Sequence, residues 1–212
     1  MDKIKPGYCS TAELWDVNNE HLRRFTDKVI PFLNVKPGSL CLDIGERNPK
    51  MEMIKRRMGI DVNQAIADDF NFSELVDNNY FAIFHPQIRY DIIFCLDVIE
   101  HLSNPLWLMR EIKINISNTG SIYIMYPTNP RWLWVDGHYN EIPPAHFKRW
   151  IVEPLGLRIT RQKSFIFVGD WRAVFIGIRP LIRILTGKKS WKSLIRTVYY
   201  KWTIYEIKKA DL

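Results

Sequence analysis

Short apolar runs, separated by polar segments that can start helices, set the rhythm of this chain. From Val17 to Leu33 the residues Val17, Leu22, Phe25, Val29, Ile30 and Leu33 recur near helical spacing, which predicts an amphipathic lead-in helix. Pro37-Gly38 turns the chain, and Ser39 to Ile44 reads as the first core strand. Asn48-Pro49 opens a helix running through Arg57 with Gly59 as its stop, and a short strand around Ile60 to Val62 follows. A further short strand is expected between Ala65 and Phe72, ending near Asp68-Asp69. Asp91 to Leu96 is a continuous apolar run of the kind found in strands covered on both faces. Ser103-Asn104-Pro105 supplies a cap and an N-terminal proline for the next helix. Asn118-Thr119-Gly120 closes that helix, and Ser121 to Tyr126 forms the next strand. Pro127 to Pro144 is a long loop rich in Pro, Trp and Asn. Pro144 to Leu155 reads as a helix ended by Gly156. Arg158 to Val168 and Arg172 to Ile178 read as a closing antiparallel pair. This alternation predicts an α/β fold with a doubly wound, mainly parallel sheet and an antiparallel final strand.

Length and composition narrow the class. The 212 residues suit one domain, and 47% hydrophobic with 25% charged residues is ordinary for a globular chain. The expected organisation is a helical lead-in over 1–36, the α/β domain over 37–178 and a basic amphipathic extension over 179–212. Cys9, Cys41 and Cys95 are odd in number and widely spaced, with no CxxC and no zinc framework. Cys41 and Cys95 fall in predicted strands, where they serve as small buried hydrophobes. The first ten residues have no apolar core of signal-peptide length, and no apolar run reaches about 18 residues. A cytoplasmic protein is expected.

The net charge of +7 is an average over two unlike parts. Residues 171–212 contain ten Lys/Arg and two acids, whereas residues 1–170 hold 20 basic against 21 acidic residues. Nucleic-acid binding would more often spread a basic patch over the domain itself, so a nucleic-acid partner is not expected.

Two strand ends carry the candidate chemistry. LCLDIGERNPK, Leu40 to Lys50, is a strand followed by an acidic residue and a glycine turn, without the GxGxxG of dinucleotide sites. The stretch from Tyr90 to Pro130 is strand, acidic turn, helix and strand, with DVIEHLSNP at its centre. It resembles the second half of a class I S-adenosylmethionine (SAM)-dependent methyltransferase. The Glu-His pair after the strand is similar to the small-molecule branch that includes quinone O-methyltransferases.

The resemblance covers roughly Leu33 to Ile178 and implies a set of roles. Asp43 and Gly45 would stand at the cofactor turn, where glycine lets the backbone approach closely. Arg47 and Pro49 stand where the family carries later glycines. Asp61, 18 positions after Asp43, or Asn63, would bind the ribose hydroxyls. Asp69 would face the adenine amino group, with Phe70 packing on the ring. Leu96 and Asp97 would flank the cofactor at the end of their strand. Glu100 and His101 would begin the next helix beside the acceptor, with His101, alongside Asp97, as the candidate proton acceptor near pH 7. His138, Tyr139 and Glu141 would contact the acceptor. His138 and His146 lack third and fourth ligands at a recognisable spacing, so no metal is expected.

The implied activity is methyl transfer from SAM to oxygen or nitrogen of a small-molecule acceptor. A non-catalytic binding or assembly subunit on the same fold is the main rival. In the tail, Trp191, Leu194, Ile195, Val198 and Trp202 form a helical stripe crowded by Lys188, Lys189, Lys192, Arg196 and Lys201. Such a helix suits packing on the domain, a homodimer contact or an anionic membrane surface. The last option would make the protein a peripheral membrane module and favour a lipid-linked acceptor.

Overall fold

The computed structural model describes residues 20–45, 49–65, 88–102, 104–129, 138, 140–167 and 200–210. In chain order these form α1 (Glu20–Val29), β1 (Cys41–Ile44), α2 (Pro49–Met58), β2 (Val62–Ala65), β3 (Tyr90–Leu96), α3 (Pro105–Asn115), β4 (Ile116–Pro127), α4 (Pro144–Phe147), β5 (Leu157–Phe167) and β6 (Tyr200–Lys209). The six strands form one sheet in the order β2-β1-β3-β4-β6-β5. The first four pair in parallel, and β6 runs antiparallel to both of its neighbours. The doubly wound, mainly parallel sheet with an antiparallel last strand is the expected one.

Each face of the sheet has its own core. Val29 and Phe25 of α1, with Met51 and Ile54 of α2, pack on Cys41, Phe94, Tyr123 and Ile204. On the other face Leu108, Met109 and Ile112 of α3, with Phe147 and Val152, cover Ile93, Ile124, Tyr126 and Tyr205. Enclosing an aliphatic or aromatic side chain of this size contributes about 1.5–3 kcal/mol. Cys41 and Cys95 are buried free thiols, and burial raises both.

Local chemistry sets the element ends. The Asn104 side chain accepts a hydrogen bond from the Trp107 N–H at 3.3 Å, and Pro105 occupies the first turn of α3. The helix ends at Asn115, earlier than expected, and the chain passes directly into β4. The Asn118-Thr119-Gly120 turn is instead a bulge: Tyr90 pairs with Ile116, but Ile92 pairs with Ser121. Gly120 is needed there, because a Cβ would meet the Asp91 carbonyl oxygen and the Ile116 side chain, both at 2.8 Å. The helical run from Pro144 changes pitch twice, through a π turn (Lys148–Val152) and a 3-10 turn (Glu153–Leu155), before Gly156 ends it at φ 63°.

Two expectations are corrected here. Strand β2 begins at Val62, opposite Cys41, because Gly59 and Ile60 still donate to the Lys55 carbonyl as the end of α2. Asp61 therefore precedes β2 and does not follow a strand. The partner of β5 is β6, and Tyr200–Lys209, expected within a basic extension, forms a strand inside the sheet. Trp202 lies on that strand and not on a helical stripe. The strand read at 172–178 and the helical stripe of 191–198 lie outside the described residues.

The insertion of β6 works because its polar residues are matched on both sides. Thr203 Oγ1 lies 2.8 Å from Thr128 Oγ1 and 2.9 Å from Ser164 Oγ. Arg161 donates to the buried Glu206 carboxylate at 2.5 Å, and Ser121 Oγ donates to it at 3.1 Å. Burial pushes this carboxyl upward, but the Arg161 hydrogen bond and charge, helped by Ser121 and Thr160, hold it below its ordinary value. Arg161 also donates to the Phe32 carbonyl at 2.7 Å, which fastens the chain after α1 to the same cluster.

Candidate active site

Strands β1 and β3 are neighbours in the sheet, with Ile44 opposite Cys95. Their C-terminal ends therefore deliver Gly45 and Asp97 to the same edge, where open parallel sheets hold ligands. Gly45 adopts φ 140°, and a Cβ there would come within 3.2 Å of Val98 Cγ2. The turn after β1 and the turn after β3 touch at that point, and only glycine fits without displacement. Just before it, Asp43 is 1% exposed, and neither carboxylate oxygen has a hydrogen-bond partner among the described residues. Burial pushes its carboxyl up to about 7, with Lys55 pulling down and Glu52 pushing up. A buried carboxylate in this state is incomplete without a donor.

Asp97 is the one described non-glycine residue with positive φ, at 56°. Its N–H donates to the Met125 carbonyl at 2.8 Å, and its Oδ1 accepts from the Trp202 indole N–H at 2.9 Å. Its Oδ2 is ion-paired with the Lys50 ammonium from the first turn of α2. That ammonium lies 4.8 Å from the ring centroids of both Phe25 and Trp202. Lys50 is thus held by a carboxylate and two aromatic faces.

Beyond Asp97, the chain enters a single 3-10 turn, Ile99–His101, and His138 and Asn140 lie against it. The Asn140 N–H donates to the Glu100 carbonyl at 3.0 Å, and its side-chain amide donates to the Leu102 carbonyl. This tie sets the His101 and His138 rings edge to face, with centroids 4.7 Å apart. His138 Nδ1 lies 2.7 Å from Glu141 Oε1. Glu141 is buried, and its other oxygen accepts from both the N–H and the side-chain amide of Asn129, each at 3.0 Å. Asn129 Oδ1 accepts from the Lys201 N–H at 3.0 Å, which links the assembly to β6. Glu100 is 1% exposed, and its Oε2 has no partner among the described residues. Burial, and after it the Asp97 charge, pushes its carboxyl well above the usual range.

The sequence candidates are sorted by this geometry. Asp43, Gly45 and Asp97 meet at one edge, and Glu100, His101, His138 and Glu141 form one cluster. Asp61 is exposed at the N-terminal end of β2, opposite to that edge, which removes it as a ribose ligand there. Leu96 is 1% exposed and belongs to the core under α1 and α2, so its side chain is not an open surface for a cofactor. His146 stacks on the exposed Trp150, with ring centroids 4.3 Å apart. Asp69, Phe70, Tyr139 and Arg47 lie outside the described residues, as does the side chain of Asn63. Sequence reading missed Lys50, Phe25, Trp202 and Asn129, whose roles arise only from contacts across the fold.

An S-adenosylmethionine-dependent methyltransferase from Archaeoglobus fulgidus superposes with a TM-score of 0.55 at 16% identity, over 93% of this chain and 97% of that one. The chain has the class I methyltransferase fold. A phosphoethanolamine N-methyltransferase from Haemonchus contortus, solved with S-adenosyl-L-methionine, matches this methyltransferase fold with a TM-score of 0.54 at 15% identity, over 89% of this chain and 53% of that one. In sequence, a tRNA U34 carboxymethyltransferase from Campylobacter lari is 33% identical over 75 residues, which is 34% of this chain. The chain spans only 22–25% of the length of such curated relatives. No family model matches it.

Proposed function

We propose that this chain is a SAM-dependent methyltransferase acting on oxygen or nitrogen of a small-molecule acceptor. The observation that carries this reading is the turn after β1: a buried Asp43 carboxyl whose oxygens have no hydrogen-bond partner among the described residues, followed by Gly45 in a conformation that strains any other residue. A ligand carrying hydrogen-bond donors completes that carboxylate, and the glycine lets the backbone approach the ligand closely. Structures of the same fold that are named as S-adenosylmethionine-dependent, or were solved with S-adenosyl-L-methionine, support the same donor.

SAM supplies an already activated methyl group, so the protein's tasks are alignment and exclusion of water. Asp43, Gly45 and Asp97 would hold the donor at the sheet edge. After β2, which ends at Ala65, the first acids along the chain are Asp68 and Asp69, and they replace Asp61 as candidates for the ribose hydroxyls. The acceptor would lie against Glu100, His101 and His138. Glu141 orients the His138 ring through Nδ1, which makes His138 at least the equal of His101 as a group facing the acceptor's hydroxyl or amine.

One observation favours the rival reading of a binding or assembly subunit that no longer takes SAM. The Lys50 ammonium is paired with Asp97 and set between Phe25 and Trp202 at the edge a donor would use. Calorimetric titration with SAM and S-adenosylhomocysteine separates the two. Micromolar binding, weakened at least tenfold in Asp43→Ala, is the expected result. A folded protein that binds neither ligand would establish the rival.

A further inference from the structure

We infer that Glu100, His101 and His138 form a binding site for a divalent transition-metal ion, with Glu141 and Asn129 as its outer support. This inference deepens the methyltransferase reading by placing an ion on the acceptor side, but its test does not depend on SAM.

The three side chains come from two separate segments, the turn after β3 and the loop after β4. One ligand atom from each lies within 4.8 Å of the others. Donors sharing one zinc ion stand about 3.3 Å apart, given metal–donor lengths of about 2.0–2.2 Å. Small side-chain rotations therefore close the cluster on an ion. Two imidazoles and one carboxylate suit zinc, iron, nickel or cobalt far better than magnesium or calcium, which prefer all-oxygen sites.

Two further observations point to a ligand at this place. Glu100 is 1% exposed with Oε2 unpartnered among the described residues, so a buried oxygen lacks a counterpart. Glu141 contacts His138 at Nδ1, the arrangement by which a carboxylate orients a metal-binding imidazole and leaves Nε2 as the ligand atom. Glu141 is itself fixed by two hydrogen bonds from Asn129, and so the support is rigid to its second layer. Three protein ligands leave coordination positions for water or for a hydroxyl oxygen of the acceptor. The sequence concealed this set because Glu100-His101 and His138 are separated by helix α3 and strand β4.

The test is calorimetric titration of the chelator-stripped, full-length protein with ZnCl2. Absorption spectroscopy with CoCl2 follows, because intense visible bands report low coordination number and imidazole ligands. Stoichiometric binding is expected, reduced at least a hundredfold in His138→Ala and in Glu100→Gln. Glu141→Gln should weaken it about 10–100-fold as an orienting partner. His146→Ala, on the exposed helix, should bind as wild type does, and circular dichroism verifies that each variant is folded. If the folded wild type binds neither ion below 100 micromolar, or if His138→Ala and Glu100→Gln both bind as wild type, the inference is overturned. SAM titration of the stripped protein is read separately, so failure of the donor reading leaves the ion result intact.

Discussion

At the scale of single residues, Asp43 is the most consequential group. Its folded-state carboxyl is raised from 3.8 to about 7, so the native protein holds a proton that the unfolded chain releases first. The contribution to stability is full below about pH 4 and is lost as pH rises through about 7. A shift of about three units corresponds to an upper bound of about 4 kcal/mol. Asp43→Asn removes the titration and keeps the size. Urea denaturation from pH 4 to 8 should show wild type losing stability relative to Asp43→Asn across that range. Parallel profiles would mean that Asp43 finds a partner in solution. Glu100 and Asp97 show the same principle in different hands. One has a buried oxygen with no partner among the described residues; the other is already matched by Lys50 and Trp202.

At the scale of elements, β6 is held by an ion pair that sequence reading did not find. Arg161 is 45% exposed and Glu206 is 5% exposed, so half of the pair is screened by water. Arg161→Met should therefore cost only about 1–2 kcal/mol at neutral pH, toward the low end for hydrogen bonds to charged groups. The carboxyl of Glu206 is lowered in the folded state, so its stabilisation is present at neutral pH and lost on acidification below about 4.5. The gap between wild type and Arg161→Met, measured by thermal unfolding, should narrow between pH 6 and pH 3. A gap independent of pH would assign the effect to packing of the arginine stem.

The elements also show what was legible and why. Strands β1, β3 and β4 were readable because burial on both faces makes each mostly apolar, as in Ile92–Leu96 and Ile122–Tyr126. Asp91–Leu96 is covered on nearly every side chain. Strand β2 was misplaced by two residues because Ile60 looks like a strand residue, yet its N–H is still committed to α2. That small error moved Asp61 across the sheet. Strand β6 was hidden because Thr203 and Glu206 break its apolar pattern, and their partners are strands more than 35 residues away in sequence. The Glu100-His101 pair was visible as neighbours in sequence. Its meeting with His138 and Glu141 depends on the Asn140–Glu100 and Asn129–Glu141 hydrogen bonds, which no local pattern encodes.

For the whole molecule, the division into body and basic extension changes. Lys201, Lys208 and Lys209 belong to a strand between β4 and β5, so part of the tail's charge is carried by the folded body. Removing residues 200–212 should abolish folding, since it strips a central strand and exposes the inner edges of two others. The check is a 1–199 truncation examined by circular dichroism and urea titration, where no cooperative transition is expected. A cooperative transition would show that β6 is dispensable. Among the described residues, no helix is long and apolar enough to cross a membrane. The basic residues expected to meet an anionic surface before β6 lie outside the described residues.

The late position of β6 has a consequence during synthesis. About 70 residues separate the end of β4 from the start of β6, and at translation speeds of about 5–20 residues per second the ribosome takes several seconds to make them. Throughout that interval the nascent chain carries β4 without its antiparallel neighbour, an open edge rich in Ile, Tyr and Met. Expression at lower temperature, or with chaperones in excess, addresses that waiting period and leaves the stability of the finished fold unchanged.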